Sequence, residues 1–454
     1  MSEILQLPFS NARSGEGELS WGQLELWLQM RRSGSFMPVG AFPPVPDGIR
    51  VEDLAAAAQR LVHRFDALRT RVTVSPDGHP RQMVAASGVQ TIELLEDRSV
   101  DSRGTGTDPG TDPGLEAYLR FKTTPMDLER DLPLRVAIVH RKGIARQAVI
   151  VFTHLVTDGL GLIVLGEELL RELLHPKGPA AQNPAARTSA PQALDLARWQ
   201  GTPEGRAVSD TALAGWAATL SQAPLDPAPR SPAPGTHRYQ ELHLTSPALH
   251  GALTLLSSRN LHPASVLMAA QATAAAELTG TSPVLMQLLV HNRFRPGLAR
   301  SIAPLTQSAP CLVDPRGEPF LRLTRRVMSL ASAAVRQAYH DPIECDAIIA
   351  EADRARGGPS EFTCWHINDR RQLGRSAADW ELTPFDTRDV RGLSSLISHR
   401  TVPFGDGRIY LHVEEKDGKI VLVYSVDTHA FTIDQCVTAL RRVEQLVVDA
   451  VYQL

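Results

Sequence analysis

The sequence predicts an α/β protein, an α+β sandwich repeated in two similar lobes, and three observations carry that prediction. Residues 148–152, Ala-Val-Ile-Val-Phe, form an apolar run too short for a free helix and suited to a strand buried on both faces. From Leu160 to Leu174 apolar residues recur at helical spacing, at Leu162, Leu165, Leu169 and Leu173, with Glu167, Glu168, Arg171 and Glu172 on a polar side. The alternation of helix and strand then recurs in both halves of a 454-residue chain, which is longer than one hydrophobic core usually serves. The division is expected near residue 180, giving lobes of residues 1–180 and 181–454.

Taken in order, Leu19 to Arg32 is the first helix. Ser20 caps it, Gln23 closes a capping box, and Leu24, Trp27 and Leu28 share a face. Val51 to Phe65 is the second, with Leu54, Ala57, Ala58, Leu61, Val62 and Phe65 spaced by three and four. Asp66 to Val74 then alternates as a strand, which would leave Arg69 a solvated strand arginine. Residues 97–114, rich in Gly and Asp-Pro, read as a surface loop. A helix over Leu115–Lys122 and a strand over Leu132–Arg141 precede the central strand.

His175 to Pro191, rich in Pro, Ala and Gly, reads as the connection between lobes. A strand follows at Tyr239–Leu244, then helices at Leu249–Leu256 and Ala264–Leu278, with Pro263 at a first helical position. Val284–Val290 is a buried strand and Phe320–Tyr339 a helix. Phe362–Asp369 is a strand, and Ile409–Val413 pairs with Lys419–Ser425 about Asp417-Gly418. A helix from Phe431 to Val451, capped near Thr432, closes the chain.

Composition removes several function classes. Lys plus Arg is 47 against 50 for Asp plus Glu, so no basic field invites nucleic acid. Cys311, Cys345, Cys364 and Cys436 are scattered, with no Cys-x-x-Cys pair, so neither a metal site nor a disulfide framework is expected. Met1-Ser2-Glu3-Ile4 begins no basic or apolar targeting segment, and no apolar run approaches the roughly 18 residues of a membrane span. The expectation is a soluble cytoplasmic protein with no membrane contact. There is no Gly-x-Ser-x-Gly elbow, His-Glu-x-x-His helix or Walker loop, and Gly159-Leu160-Gly161 lacks the third glycine of a dinucleotide site.

What chemistry there is gathers at the end of the central strand. His154 follows the apolar run and Asp158-Gly159 opens the helix. A rigid strand end can hold an imidazole at the mouth of a cavity, where a neutral His takes a proton from an amine or hydroxyl.

These residues resemble a known family. His154-x-x-x-Asp158-Gly159 resembles the core of the His-His-x-x-x-Asp-Gly motif of nonribosomal peptide synthetase condensation domains, part of the chloramphenicol acetyltransferase-like superfamily. Thr153 stands where that motif has its first His. Leu19-Ser20-x-x-Gln23-x-x-x-Trp27-Leu28 resembles the family's first segment, and Arg64-Phe65-Asp66-Ala67-Leu68-Arg69-Thr70 resembles its Arg-His-Glu-x-Leu-Arg-Thr segment. Asp195-Leu196-Ala197-Arg198-Trp199-Gln200 is similar to Asp-Phe-Ala-x-Trp-Gln. Ile302 to Val313, with Gln307 and Ser308, holds the place of the fifth segment, and His340-Asp341-Pro342-Ile343-Glu344 is near His-Gln-Asp-x-Pro-Phe-Glu. Asn292-Arg293-Phe294-Arg295-Pro296, followed by Pro304-Leu305-x-Gln307, looks most like free-standing bacterial condensation enzymes.

The resemblance, running from Leu19 to Val451, implies two acetyltransferase-like lobes in a V-shaped pseudo-dimer with a central tunnel. His154 would be the catalytic base. Asp158, Gly159, Arg69, Arg293 and Thr153 would support it, Asp158 through an ion pair with an arginine for which Arg69 and Arg293 are both candidates, and Ser20, Gln23, Trp27, Trp199, Gln307 and Ser308 would be tunnel candidates. An acyl or aminoacyl thioester would arrive on the phosphopantetheine arm of an acyl or peptidyl carrier protein, a transient partner. A small-molecule amine or alcohol would accept it, giving an amide or ester in natural-product (for example antibiotic) biosynthesis. The arm belongs to the partner, and no cofactor is expected on this chain. Two alternatives stand beside this reading: a coenzyme A-dependent acyltransferase of the same superfamily, and a non-catalytic carrier-docking module.

Overall fold

The computed structural model describes residues 3–10, 12–97, 112–176, 190–225, 231–232, 237–358, 365–371, 394–401 and 407–454. The chain forms two compact units, residues 1–206 with 291–306, and residues 207–290 with 307–454. Cys364, and most of the expected loop at 97–114 and of the connection at 175–191, lie outside the described residues.

The first unit contains strands β1 (Glu3–Phe9), β2 (Gly15–Glu18), β3 (Pro38–Ala41), β4 (Thr70–Val74), β5 (Pro80–Val84), β6 (Gly88–Glu96), β7 (Leu134–Arg141) and β8 (Ile144–Thr153). Its helices are α1 (Trp21–Ser33), α2 (Val51–Arg64), α3 (Pro113–Thr123), α4 (Gly159–Leu174) and α5 (Ala193–Gln200). One sheet runs β1-β6-β7-β8-β3 and a smaller one β2-β5-β4. The central strand is buried on both faces, as its unbroken apolar run requires. Ala148, Ile150 and Phe152 pack with Leu61 of α2 and Leu165 and Leu169 of α4. Val149 and Val151 pack with Ala117 and Phe121 of α3.

Three local expectations differ from the structure. Asp66–Arg69 is a 3-10 turn before β4, not part of a strand, and Arg69 is fully buried. On α1 the buried positions are Trp21, Gln23, Leu26 and Met30, while Leu24, Trp27 and Leu28 are half-buried. The helix is packed on more than one side, so periodicity alone misassigned its inner face. The polar side of α4 is only partly solvated: Glu167 and Arg171 are exposed, but Glu168 and Glu172 are buried, and Arg64 of α2 pairs with both. Arg60 reaches Glu172 at 2.6 Å and Arg300 reaches Glu168 at 2.5 Å.

Residues 190–206, assigned from sequence to the C-terminal lobe, group with the first unit. Asp195 of α5 pairs with Arg13 at 2.5 Å, Gln192 accepts the N–H of Asp66, and Leu194 lies over Gly15 and Gly17, where a Cβ would meet it at 2.9 and 2.7 Å. These contacts join segments far apart in the chain, so no composition change marks them.

The second unit contains α6 (Pro203–Leu220), which spans the boundary, then β9 (Tyr239–Ser246), α7 (Pro247–Ser258), α8 (Pro263–Thr279), β10 (Val284–Val290) and β11 (Gln307–Val313). There follow α9 (Phe320–Arg336), α10 (Pro342–Arg356), β12 (Trp365–Asp369), β13 (Ser395–Thr401), β14 (Ile409–Lys416), β15 (Lys419–Asp427) and α11 (Ile433–Ala450). Its sheet runs β11-β10-β12-β14-β15-β9-β13. One sheet face buries Met286, Leu411 and Leu422 with Leu253, Val266 and Leu440 of α7, α8 and α11. On the other, Leu285 and Leu312 pack with Leu213 and Trp216 of α6. The β14–β15 hairpin turns at Asp417 (φ 50°) and Gly418 (φ 68°), the left-handed pair that the Asp-Gly dipeptide favours. No described helix is long and apolar enough to cross a membrane.

Candidate functional site

The first unit carries the site at the junction of β8 and α4. β8 ends at Thr153, His154–Val156 makes one 3-10 turn, and α4 begins at Gly159 with Asp158 as its cap. His154 is half-buried, and its backbone N–H donates to the Met37 carbonyl at 3.0 Å. The imidazole thus stands on a turn pinned to the chain just before β3.

Asp158 follows that turn and caps α4. Its Oδ1 accepts the N–H of Gly161 at 2.9 Å, the ordinary N-cap bond. Arg293 grips both oxygens, Nη1 to Oδ2 at 2.8 Å and Nη2 to Oδ1 at 2.7 Å. Oδ2 also accepts from the Leu305 N–H at 2.9 Å, the Thr306 N–H at 3.2 Å and the Thr306 hydroxyl at 3.0 Å. Burial by itself would raise the Asp158 carboxyl, but the Arg293 charge and these bonds outweigh it and hold the group below the usual carboxylate range. Arg293 Nη2 also donates to the carbonyls of Ser301 at 2.9 Å and Ala303 at 3.1 Å.

The open choice between two arginines is therefore settled in favour of Arg293. Arg69 pairs with Asp66 at 3.0 Å and donates to the carbonyls of Val62, Arg13 and Ala85. It ties the α2–β4 corner together and does not reach Asp158. Thr153 is 1% exposed. Its hydroxyl donates to the Phe36 carbonyl at 3.4 Å and accepts from the Leu155 N–H at 3.5 Å, so the residue in the place of the first motif His packs the strand end.

Close packing demands glycine at Gly161. A Cβ on Gly161 would lie 2.4 Å from Thr157 Oγ1 and 2.5 Å from the Ile302 carbonyl, whereas Gly159 is not among the left-handed glycines. Gly22 of α1 is similar, since its Cβ would meet the Pro304 carbonyl at 2.2 Å. Sequence reading missed both, because a helical glycine carries no mark of what approaches it. It also left His291 unassigned. His291 Nδ1 accepts the Arg293 N–H at 3.0 Å, and burial and the Arg293 charge lower its pKa.

The remaining candidates sit apart from this cluster or inside the packing. Ser20 and Gln23 are buried, and the Gln23 Oε1 accepts from the Ser20 N–H at 3.0 Å. Trp27 is half-buried on α1. Trp199 is 40% exposed and meets Trp21 edge-on at 6.5 Å between centroids, while its neighbour Gln200 accepts the Trp21 N–H at 2.9 Å. Gln307 and Ser308 open β11 in the second unit, where Gln307 donates to the His340 carbonyl at 2.9 Å and Ser308 accepts from Gln287 at 2.5 Å.

A family model described as the condensation domain matches residues 28–356. The chain belongs to the condensation-domain family. Among curated relatives, the domain is 27% identical over 334 residues to the nonribosomal peptide synthetase kk1B of Curvularia clavata, covering 71% of this chain and 2% of that one. It is 26% identical over 337 residues to the cyclosporin synthetase simA of Tolypocladium inflatum, covering 72% and 2%. The condensation domain thus matches only a small part of these relatives' length. Solved structures of the same fold include the X-domain from teicoplanin biosynthesis, at TM-score 0.70 and 16% identity over 98% of this chain and 97% of that one. The SgcC5 protein from Streptomyces globisporus matches at TM-score 0.69 and 15% identity, over 96% and 99%. The α/β architecture read from the sequence is the one these structures share.

Proposed function

We propose that this condensation domain joins a carrier-bound acyl or aminoacyl thioester to an amine or hydroxyl acceptor, with His154 as general base. The observation that carries the reading is the buried two-point Asp158–Arg293 pair beside the His154 turn. In the step proposed, the imidazole takes the proton from the acceptor nitrogen or oxygen as that atom attacks the thioester carbonyl carbon. The C–N or C–O bond forms, the C–S bond breaks, and the thiolate leaves on the phosphopantetheine arm of the carrier and recovers the proton. Asp158, Gly159, Arg293 and Thr153 act by fixing the turn, and Arg69 by fixing the corner beside it. Substrate-facing roles for Ser20, Gln23, Trp27, Trp199, Gln307 and Ser308 belong to the same proposal.

A second reading, a docking module without transfer activity, has two observations in its favour. Thr153 replaces the first motif His, and the teicoplanin X-domain, of the same fold, is known in a complex with OxyB. An intact-mass assay separates the readings. Acyl-loaded carrier proteins and a panel of amines and alcohols are offered to the wild type and to His154→Ala. New amide or ester formed by the wild type and lost by roughly 100-fold or more in the variant supports condensation. Carrier binding without transfer in either protein supports docking. Transfer from coenzyme A thioesters alone supports the wider acyltransferase class.

A further inference from the structure

The second unit holds an imidazole cluster that the condensation reading does not use. β12 is five residues long and runs parallel between β10 and β14. On one face of the sheet His366 of β12 lies beside Tyr410 of β14, and His412 is the next residue of β14 on that face. The three rings stack, His366 on Tyr410 at 4.9 Å with 8° between planes and Tyr410 on His412 at 4.3 Å with 25°. His366 is 3% exposed and Tyr410 9%. The Nδ1 atoms of His366 and His412 are both buried without a hydrogen-bond partner. Such nitrogens are costly, and hydrocarbon side chains would fill the same sheet face without that cost. Among the described residues of the surrounding strands, the carboxylates are engaged elsewhere: Glu241 with His243, Glu414 with Arg370, Glu415 with His250, Asp369 with Arg371 and Asp427 with Arg238. The cross-strand neighbours of the stack on β10 and β15 are Gln287, Val423 and Ser425, none of which titrates. Farther along this face, α6 and α10 pack over Leu285 with Leu213, Trp216 and the Cys345 thiol. Burial alone drives His366 toward its neutral form. For His412 burial leads, and the charges of Arg370, His366 and His243 act in the same direction.

We infer that this stack is an acid-sensitive seam: proton uptake by His366 and His412 parts β12 from β14, reversibly, as the medium becomes mildly acidic. The inference does not depend on the condensation reading. With both imidazoles neutral, ring packing closes the seam. A single cation on the stack keeps an attraction to the Tyr410 ring but finds no free carboxylate, and a second cation on the same stack repels the first. Parting the strands lets both rings reach water, where each takes a proton near its ordinary value of about 6.5. Both folded-state values are lowered, so the open form binds protons that the closed form does not. Opening is therefore favoured as pH falls below about 6.5 and is unaffected well above it. Between pH 7.5 and 5 one imidazole raises the opening constant roughly 30-fold, and two together raise it several hundredfold. β12 is the strand that yields, because it is short and its register with β10 extends only over Trp365–Ile367.

Hydrogen exchange of the full chain, followed by mass spectrometry at about pH 7.5, 6 and 5 and corrected for the intrinsic exchange rate, tests the seam. Peptides of β12 and β14 are expected to open several hundredfold more at pH 5 than at 7.5 and to regain protection when the pH is restored, while α8 changes by less than about tenfold. His366→Phe and His412→Phe keep a ring in the stack, and each should cut the rise roughly 30-fold; the double variant should abolish it. A rise below about tenfold in the wild type, or α8 opening in step with β12, overturns the inference. Should a variant fail to fold by circular dichroism at pH 7.5, nitrogen-15 imidazole spectra of the wild type decide. Both rings neutral in the folded chain at about pH 5.5 support the seam, and either ring protonated while β12 stays protected overturns it.

Discussion

The Asp158–Arg293 pair offers the sharpest quantitative test. Asp158 is 2% and Arg293 7% exposed, so replacing Asp158 by Ala strands a buried guanidinium. Breaking a buried pair from one side costs about 3–5 kcal/mol. The same change removes the acceptor for the Gly161, Leu305 and Thr306 N–H groups, and a buried donor left unmet costs about 1–3 kcal/mol. Partial relaxation keeps these from adding in full, so Asp158→Ala should destabilise by about 4 kcal/mol or more, a large share of a typical total of roughly 5–15 kcal/mol. Removing both charges, in Asp158→Ala with Arg293→Met, should cost less than the two single changes together by at least about 2 kcal/mol. Urea denaturation of the four proteins measures that coupling. The carboxyl is lowered in the folded state, so its contribution is complete above the unfolded value near about 4 and is lost as pH falls through the folded one. The advantage of wild type over Asp158→Asn should therefore be flat from about pH 5 to 8 and shrink below about pH 4. A cost under about 1 kcal/mol for Asp158→Ala, with additive single changes, would refute the claim that this pair holds the turn.

Further outcomes follow from other positions. Gly161→Ala should destabilise by about 1–3 kcal/mol through the clash with Thr157 and Ile302, whereas Gly166→Ala should stabilise by about 0.5–1 kcal/mol, both read as shifts in urea midpoint. Thr153→Val should change stability by less than about 1 kcal/mol, because both hydroxyl bonds lie at the long limit of 3.4–3.5 Å. His366 of β12, fully buried, is pushed down to about 3 by burial. Its folded pKa lies below the unfolded value, so the unfolded chain gains the proton first and stability is lost as pH falls from about 6.5. That single group should cost about 2 kcal/mol between pH 7.5 and 5, and His366→Phe should remove this slope from the urea titration.

Much of the architecture was legible because it is written in short-range patterns. The apolar run before His154 marked β8, the three-and-four spacing marked α2 and α4, and Asp417-Gly418 marked the hairpin. Thr432 marked the start of α11, where its N–H donates to the Gln435 Oε1 at 2.8 Å. Each of these depends on residues within a few positions of one another, and the backbone geometry of a helix or strand converts spacing directly into a face or a cap. The motif at His154 and Asp158 was visible for the same reason.

Tertiary structure decided what depends on residues far apart in the chain. Which arginine meets Asp158 turned on residue 293 returning across 135 positions, and spacing cannot distinguish that from the nearer Arg69. Arg69 changed from a solvated strand residue to a fully buried corner brace because carbonyls of Arg13 and Ala85 converge on it. Glu168 and Glu172 read from the sequence only as part of a polar helix side, and the fold brings Arg60 and Arg64 of α2 against them. Gly161 and Gly166 are the same residue type on one helix, and only the atoms around each show that one is in close contact and the other faces open space. By itself the sequence determined many of the elements, some of their caps and the place of the His154–Gly159 motif at a strand-to-helix junction. The partners of buried charges, and the meaning of each helical glycine, had to wait for the fold, because charge pairing and close approach are set by distance in space and not by distance along the chain.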